Sequence, residues 1–481
     1  MNMYIDGKWM PSSDGRTLEV VDPASGAVVD TVPRATREDV THAIDSAVVA
    51  QKAWVKIPLR ERCKMLRRFA ALVMERRLEL GRILSQETGK PYMAEAVWEF
   101  DSVSYVFECA CDIAMHHYGK TLPIATEPGY EDDVQFTVNE PLGVIACIVP
   151  FNFPVALWAF KAGAALAAGN AIVVKAPSQD PLAVLKLHEI LTEVGMPAGV
   201  AQCLTGSGSE AGDWLVDDPR IAMVNFTGSA ATGVSIAKTA AKHLTSYEFE
   251  LGGNDPFIVC EDGDLELALK EAGDKARNAG QCCSAAKRFI IHNSLKEEFA
   301  RRLVKEYLEP LVLGDPMDPE TTMGPVISER AAKGIEEQVQ KTLDQGATLY
   351  YGGKRRGAFF DATVLTDVTA DMDIAKDMEV FGPVWPILGF DTVEEAVALA
   401  NLTNYGLSSG VFTRDMKTAA RFCREIQAGY VTVNGSGGFR AAELPFGGGK
   451  KLSGNSRESL MTMMDDVTQK KSIILRYILA E

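Results

Sequence analysis

The feature that most restricts the fold of this chain is a regular alternation of short β-rich runs with helical stretches between residues 142 and 250. Such alternation is typical of βαβ units, in which helices connect the strands of a parallel sheet. The runs are GVIACIVP, AIVVKAP, VAQCLTG, IAMVNFTGS and SYEFELGG. The sequence therefore predicts a Rossmann-like parallel sheet of the dinucleotide-binding kind.

A second series of the same type follows residue 253. Its β-rich runs are PFIVC, KRFIIH, VWPILGF, SSGVFT and GYVTVN, and helical patterns such as LELALKEAGDKARNAG separate them. Residues 37–117 carry three helical patterns with apolar residues at three- and four-residue spacing, which we interpret as covering helices. The predicted fold class is α/β, with two α/β domains.

Two stretches, residues 122–139 and 466–481, are predicted strands that belong to neither series. An unattached strand presents unpaired backbone N–H and C=O groups, which favour pairing with another edge. We therefore expect these strands to reach into a neighbouring subunit of a homo-oligomer.

The net charge of −16 excludes several partners, since an acidic surface repels phosphate backbones and anionic lipids. Nucleic acid and membranes are not expected partners. The nine cysteines lack CxxC spacing, and no cluster of cysteine and histidine suggests a metal. The first residues, MNMYIDGKWMPSSDG, do not resemble a secretion signal, so the expected location is the cytoplasm.

Two glycine-rich segments lie between a strand and a helix, where free amide groups and the helix dipole favour phosphate. They are GSGSEAG at residues 206–212 and FTGSAATG at residues 226–233, and neither is a strict GxGxxG. Lys175 ends the run AIVVK, at the carboxyl edge where an open sheet binds its ligands. Ordinary turn glycines and a solvated lysine are the alternative explanations.

Three further residues have unusual sequence surroundings. Asn152 lies between two aromatic residues and two prolines in VPFNFP, Glu250 precedes two glycines in FELGG, and Cys283 follows another cysteine in GQCCSA. Each has an ordinary alternative: a turn asparagine, a solvated glutamate and a small buried cysteine. No histidine is paired with Cys283 by pattern, which disfavours a cysteine hydrolase.

Taken together, these segments resemble one family. VPFNFP, VVKAPS, FTGS, FELGGNDPFIV, GQCCSAAKRF, EVFGPV, NYGLSSGVFT and PFGGGKKLSGNSRE occur in the order and spacing of the aldehyde dehydrogenase superfamily. The resemblance covers nearly the whole chain, and the ELGG and GQxC segments are its most specific parts. It implies the aldehyde dehydrogenase fold and NAD(P)-dependent oxidation of an aldehyde to a carboxylic acid.

The resemblance implies three catalytic residues. Cys283 matches the nucleophile, which forms a thiohemiacetal and then a thioester. Asn152 and the backbone N–H of Cys283 match the oxyanion hole, and Glu250 matches the base that activates water for hydrolysis. The CoA-acylating branch lacks a glutamate at that position, so water is the expected acyl acceptor. No metal is implied.

The resemblance also implies a cofactor site for NAD or NADP. NAD-preferring members often carry a glutamate three residues after the lysine, and this chain has Ser178 there, so NADP is expected to fit. The implied cofactor-binding residues are Val149, Pro150, Phe151, Lys175, Ser178, Gly208, Phe226, Gly228, Ser229, Leu251, Gly252, Glu379 and Phe381.

For the substrate, the resemblance leaves alternatives. Succinate semialdehyde dehydrogenases of the similar branch carry an arginine where this chain has Phe160, which points away from a small acidic semialdehyde and toward a partly apolar pocket. Arg440 is a candidate replacement cation. The implied pocket residues are Phe153, Phe160, Cys282, Ser284 and Arg440. A semialdehyde dehydrogenase, a CoA-acylating enzyme and a non-catalytic structural homologue remain alternatives.

The implied domains follow the same resemblance. Residues 1–121 and 142–253 form the NAD(P)-binding domain and residues 254–453 the catalytic domain. Residues 122–141 and 462–481 form oligomerisation strands of a dimer or tetramer.

Overall fold

The computed structural model of the chain describes residues 1–438 and 440–480, apart from the side chain of Lys451. Numbered in chain order, its strands are β1 Met3–Ile5, β2 Lys8–Met10, β3 Thr17–Val21, β4 Val28–Pro33, β5 Val134–Pro141, β6 Val144–Ile148, β7 Ala171–Lys175, β8 Ala201–Leu204, β9 Ile221–Thr227, β10 Ser246–Glu250, β11 Asp255–Val259, β12 Ala286–His292, β13 Thr348–Tyr351, β14 Arg355–Arg356, β15 Phe359–Phe360, β16 Thr363–Thr366, β17 Val384–Phe390, β18 Ser408–Phe412, β19 Tyr430–Val433 and β20 Thr468–Leu475.

The α-helices are α1 Arg37–Trp54, α2 Leu59–Thr88, α3 Val97–His116, α4 Pro154–Ala168, α5 Leu182–Glu193, α6 Asp213–Val216, α7 Ala230–Ala240, α8 Leu265–Gly273, α9 Lys296–Leu303, α10 Glu329–Asp344, α11 Val393–Ala400, α12 Met416–Glu425 and α13 Leu460–Asp466. Single π-helical turns span Tyr92–Ala96, Gly208–Gly212 and Val304–Leu308. Short 3₁₀ segments span Asp274–Gly280, Asp373–Ala375 and Lys451–Ser453. None of the helices within residues 1–438 and 440–480 is both long and apolar enough to cross a membrane.

The first sheet has the strand order β10-β9-β6-β7-β8-β1-β2, in which β6 to β10 are parallel and the two amino-terminal strands add an antiparallel edge. The predicted parallel sheet is present. Successive strands β6, β7 and β8 extend in one direction, and β9 then returns to the other side of β6. Such a reversal opens a crevice at the carboxyl ends of the strands. Lys175 and Glu250 end β7 and β10 at that edge.

The second sheet has the order β13-β16-β17-β12-β11-β18-β19, with only β13 antiparallel to its neighbour. It is the predicted second α/β unit, and it begins at Asp255, five residues after Glu250. Glu250 also forms a bridge to Gly454. The chain that connects the two sheets therefore passes directly through the crevice.

Helices α4 and α5 pack on one face of the first sheet, and α2 and α3 pack on these two helices. Helix α4 is buried along nearly its whole length, and Trp158 on it stacks on Phe107 of α3 with ring centroids 5.5 Å apart. Phe107 in turn packs on Phe69 of α2 at 4.6 Å. Trp158 is therefore a core residue.

Strands β5 and β20 belong to neither large sheet and pair with each other in antiparallel register, from Val134 opposite Leu475 to Pro141 opposite Thr468. Turns and bends occupy much of residues 122–133, and α13 includes residues 462–466. The predicted strands are thus shorter than the sequence indicated.

The amino terminus of α4, beside the crevice, is held by a buried ion pair rather than by a capping side chain of its own. Glu99 of α3 accepts the N–H groups of Val155 at 3.0 Å and Ala156 at 3.1 Å. It also pairs with Lys90, and both side chains are 1% exposed. The carboxylate therefore compensates a buried ammonium and the positive end of a helix dipole at once.

We predict that Glu99→Gln lowers the free energy of unfolding by about 3–5 kcal/mol, because it removes the carboxylate that contacts the buried Lys90 ammonium directly. Urea denaturation followed by circular dichroism measures this loss. Glu266→Gln, which removes an exposed partner of Arg302, is the control and leaves the free energy nearly unchanged. Equal effects of the two substitutions would contradict the role of the buried pair.

Candidate active site

A cavity of about 1100 Å³ lies at the carboxyl edge of the first sheet, where the second sheet meets it. The segments that follow β6, β7, β9 and β10 form one side, and α10 with residues 379–381 forms the other. All three residues predicted to be catalytic, Asn152, Glu250 and Cys283, line this cavity. So do Val149, Pro150, Phe151, Lys175, Ser178, Gly208, Phe226, Gly228, Ser229, Leu251, Gly252, Glu379 and Phe381.

The loop before Cys283 has an unusual backbone. The predicted helix over residues 265–280 ends as an α-helix at Gly273, and Asn278, Ala279 and Gly280 then adopt φ of 49°, 49° and 74°. Left-handed conformations are costly for residues other than glycine and concentrate at functional sites. At Gly280 a side chain is also excluded, because a Cβ would lie 2.3 Å from the carbonyl oxygen of Gly382.

Hydrogen bonds of Asn278 hold this turn against Asn152. The Asn278 side chain donates to the carbonyl oxygens of Asn152 at 2.8 Å and Gln281 at 3.2 Å, while its backbone N–H donates to Glu95 at 2.8 Å. The Asn152 amide nitrogen donates to the Gln281 carbonyl at 3.2 Å. An amide nitrogen carries two hydrogens, so one remains for a ligand in the cavity.

Glu250 is 2% exposed, and neither of its carboxylate oxygens has a hydrogen-bond partner within the described part of the chain. Burial raises the pKa of Glu250 to about 8, and the carboxylate of Glu458 adds to this effect. Arg440 and Lys161 oppose it. A carboxyl group with a pKa near neutrality can both take and return a proton, which suits a general base.

The adjacent thiols of Cys282 and Cys283 are both half-buried and titrate together. Their mutual hydrogen bond lowers the pKa of Cys282 to about 5 and raises that of Cys283 above its ordinary value. Burial and the Glu250 carboxyl group raise the pKa of Cys283 further. The pair therefore loses its first proton readily and its second with difficulty, and the pH dependence of the nucleophile belongs to both residues.

The cavity fits a dinucleotide. Ser229 caps the amino terminus of α7, whose free N–H groups suit a pyrophosphate, and the nearby Gly208 leaves open space. Lys175 is buried, lies 3.1 Å from the Ser178 hydroxyl, and has a pKa lowered to about 8 by burial. Glu379 presents a carboxylate for ribose hydroxyl groups. The residues therefore suit NAD or NADP.

The predicted pocket residues are not among those that line this cavity. Arg440 donates to Glu458 at 2.8 Å, and its guanidinium lies 5.2 Å from the ring centre of Phe160. Cys282 lies 3.4 Å from the hydroxyl of Ser284, and Phe153 packs under the ammonium of Lys90.

Sequence reasoning missed several residues of the site. The wall formed by α10 was not predicted, although Gln338 on it donates to the backbone of Glu379 at 3.0 Å. Buried Lys161 lies 2.7 Å from Thr227 and 3.5 Å from Glu458. The amphipathic period of ERAAKGIEEQVQKTLD could have revealed the helix, but no local pattern marks Lys161 or Glu458 as partners.

Comparison with known proteins agrees with this architecture. Residues 9–473 match the sequence model of the aldehyde dehydrogenase family. The chain is 37% identical to a 3-sulfolactaldehyde dehydrogenase of Priestia aryabhattai, over 98% of this chain and 97% of that protein. It is 36% identical to an NADP(+) succinate-semialdehyde dehydrogenase of Escherichia coli over 97% and 96%, and 35% identical to a 3,6-anhydro-α-L-galactose dehydrogenase of Vibrio over 99% of each.

Solved structures are equally similar. An Escherichia coli NADP-dependent enzyme superposes with a TM-score of 0.95 at 35% identity, covering 99% of this chain and 98% of that one. Betaine aldehyde dehydrogenase of Staphylococcus aureus in complex with NAD⁺ superposes with a TM-score of 0.94 at 34% identity, covering 99% and 95%. The family, fold and enzyme class predicted from the motifs are confirmed, and the chain belongs to the aldehyde dehydrogenase family.

Proposed function

We propose that this chain oxidises an aldehyde to a carboxylic acid with NAD or NADP through a thioester on Cys283. The observation that carries the proposal is that Cys283, Asn152 and Glu250 line the same cavity as the dinucleotide-binding groups. A reacting carbonyl can then touch nucleophile, oxyanion donor and hydride acceptor at once. With a complete site, a non-catalytic structural role is disfavoured.

In the first half of the reaction, the Cys283 thiolate attacks the aldehyde carbon. The resulting alkoxide accepts hydrogen bonds from the free Asn152 amide hydrogen and from the backbone N–H of Cys283. Bound NAD or NADP would supply the acceptor for the hydride that leaves this carbon. The Asn278 contacts keep Asn152 and the nucleophile loop together throughout.

In the second half, Glu250 removes a proton from water, and the hydroxide attacks the thioester carbon and releases Cys283. The buried carboxyl group supports this role, because within the described residues its oxygens have no geometric hydrogen-bond partner and Glu250 lines the cavity that would hold the water molecule. A CoA-acylating reaction needs no such base and is the less favoured alternative.

For the substrate, we propose a small aldehyde with an anionic group at its far end. Lys161 and Arg440 both approach Glu458, while Glu250 is largely uncharged at neutral pH, so two cations face one carboxylate. The sulfolactaldehyde and succinate-semialdehyde relatives support this choice. Two observations favour other substrates. The anhydro-galactose relative favours a neutral hydroxylated aldehyde, and the aromatic rings near Arg440 favour an apolar aldehyde.

We also propose that the chain works as a homo-oligomer in the cytoplasm, with the domain boundaries stated above. The exposed β5–β20 ribbon supports the assembly, since Ile474, Tyr477 and Ile478 near its end are each more than half exposed. A second copy of the chain would cover these apolar side chains.

The catalytic assignment predicts separate effects at two residues. Cys283→Ala abolishes formation of reduced cofactor, whereas Glu250→Gln retains one rapid equivalent per active site and loses about 10²–10⁴-fold in steady-state rate. Stopped-flow absorbance of the reduced nicotinamide measures both, and Cys282→Ser, which retains the rapid phase, is the matched control. Turnover by Cys283→Ala, or turnover that requires CoA, would refute the assignment.

The same assignment predicts a pH dependence. Because the pKa of Glu250 is raised to about 8, the carboxyl group is protonated at lower pH and the hydrolysis rate rises as the pH approaches 8. Steady-state kcat from pH 6 to 9 measures this rise, with Glu250→Gln as the control that lacks it. A flat profile in the unaltered enzyme, with hydrolysis rate-limiting, would contradict a base function for Glu250.

Cofactor choice gives a third prediction. Ser178→Glu places a negative charge beside Lys175 and raises the KM for NADP by at least about tenfold through repulsion of its 2′-phosphate, with little change for NAD. Ser178→Gln, of similar size and without charge, separates repulsion from bulk. Equal loss of both cofactors in the two variants would contradict an electrostatic origin.

The substrate proposal gives a fourth prediction. Arg440→Gln raises the KM for succinate semialdehyde about 10–100-fold, the factor expected for a lost charge-assisted hydrogen bond, but not the KM for a neutral aldehyde of similar length such as butanal. The neutral aldehyde is an internal control for damage to the Glu458 pair. Equal changes for the two aldehydes would exclude Arg440 as the anion-binding group.

A further inference from the structure

A buried ammonium group lies behind the nucleophile loop. Lys287 is the second residue of β12, and its side chain is 1% exposed. Its Nζ donates to the carbonyl oxygens of Cys283 at 2.6 Å, Cys282 at 3.2 Å and Ala285 at 3.4 Å. One ammonium group thus binds three carbonyl groups within residues 282–285, the segment that contains the proposed nucleophile.

The same ammonium contacts the cofactor cavity through Glu379, whose Oε1 lies 3.3 Å from Lys287 Nζ. That oxygen also accepts the backbone N–H of Gly253 at 3.2 Å. Glu379 lies close to the segment that follows β10. A Cβ added to Gly252 in that segment would be 2.1 Å from the Oε2 of Glu379. The segments that carry Cys283 and Glu250 therefore both converge on the Lys287–Glu379 pair.

Neutralisation of the Lys287 charge does not by itself require the contact with Glu379. Asp255, held by the N–H of Ser408 at 3.1 Å and its hydroxyl at 2.7 Å, is a second carboxylate near Lys287. With Asp255 present, the ammonium already has a buried counter-charge. The contact with Glu379, which lines the cavity, therefore adds a connection to the cofactor side of the site.

We propose that Lys287 is a positioning residue that connects cofactor occupancy at Glu379 to the reactivity of the Cys283 thiol; this rests on the assignment of Cys283 as nucleophile. Hydrogen bonds from ribose hydroxyl groups to Glu379 would reduce the effective negative charge of its carboxylate. The ammonium is then less neutralised by Glu379 and stabilises the nearby thiolate more strongly. The proposal therefore has one sign: cofactor binding increases the rate of alkylation of Cys283, and Lys287 is required for this increase.

Other charged groups also face this site, and they set the background of its pH dependence. Lys275, whose pKa burial lowers to about 7, donates to the carbonyl of Ala286 at 2.7 Å behind Lys287. The groups that act on the two thiols or on Lys287 are Glu250, Asp255, Lys275, Glu379, Arg440 and the thiol of Cys282.

The test measures the rate of alkylation of Cys283 by iodoacetamide as a function of pH, with and without NADP⁺. All variants carry Cys282→Ser, so that Cys283 is the thiol of the pair that can react. Mass spectrometry of the peptide that contains residue 283 gives the rate. Lys287→Met is expected to lower this rate about tenfold near pH 7 and to abolish the increase caused by NADP⁺. Lys287→Arg, which keeps the charge, restores part of both.

Glu379→Gln is expected to change the alkylation rate in the opposite direction. This test does not depend on the folding of the lysine variant. Removing the carboxylate leaves Lys287 less compensated, so alkylation without cofactor is expected to become faster than in the parent. Unchanged alkylation in folded Lys287→Met, or slower alkylation in Glu379→Gln, would overturn the proposal. These readouts report thiol chemistry rather than turnover, so they are separate from the Cys283→Ala and Glu250→Gln tests of the reaction.

Discussion

The active site depends on the left-handed turn at Asn278, Ala279 and Gly280. Two consecutive non-glycine residues with positive φ cost free energy and persist only when surrounding contacts fix them. Here the Asn278 side chain binds the carbonyl groups of Asn152 and Gln281, and its N–H binds Glu95. Because this turn directs the chain from the end of α8 into β12, it sets where the Cys283 thiol meets the first sheet.

Burial then determines the chemistry of the groups that the turn brings together. Glu250, Lys175 and the two thiols all have pKa values moved from their ordinary range. Burial causes the shifts of Glu250 and Lys175 and adds to that of Cys283, whereas the hydrogen bond with Cys283 lowers the pKa of Cys282 against the effect of burial. Buried charges need compensation, which Lys287, Arg440 and Lys161 supply on different sides of the site. The result is a carboxyl group with a pKa near neutrality, Glu250, in the same site as the nucleophile. The surrounding cations pair with Glu379 on the cofactor side and with Glu458 on the proposed substrate side.

The sequence predicted the alternating strands and helices well, because strands buried on both faces read as continuous apolar runs. The family resemblance implied the cofactor-binding residues that line the cavity, and the place of Lys175 at a strand end agrees with ligand binding at the carboxyl edge of a parallel sheet. The continuous helix over residues 265–280 was wrong beyond Gly273, because helical propensity does not register the tertiary bonds that hold Asn278. The partnership of Lys287 with Glu379 joins residues far apart in the chain, and no local spacing encodes it.

The central claim is that the acyl group is carried by Cys283 and released by Glu250. Its most direct test is to mix Glu250→Gln protein with aldehyde and NADP⁺, quench in acid, and locate the added mass by peptide mass spectrometry. An acyl adduct on Cys283 is expected to persist in this variant and to be transient in the unaltered enzyme. An adduct on Cys282, or no covalent adduct while reduced cofactor forms, would contradict this claim.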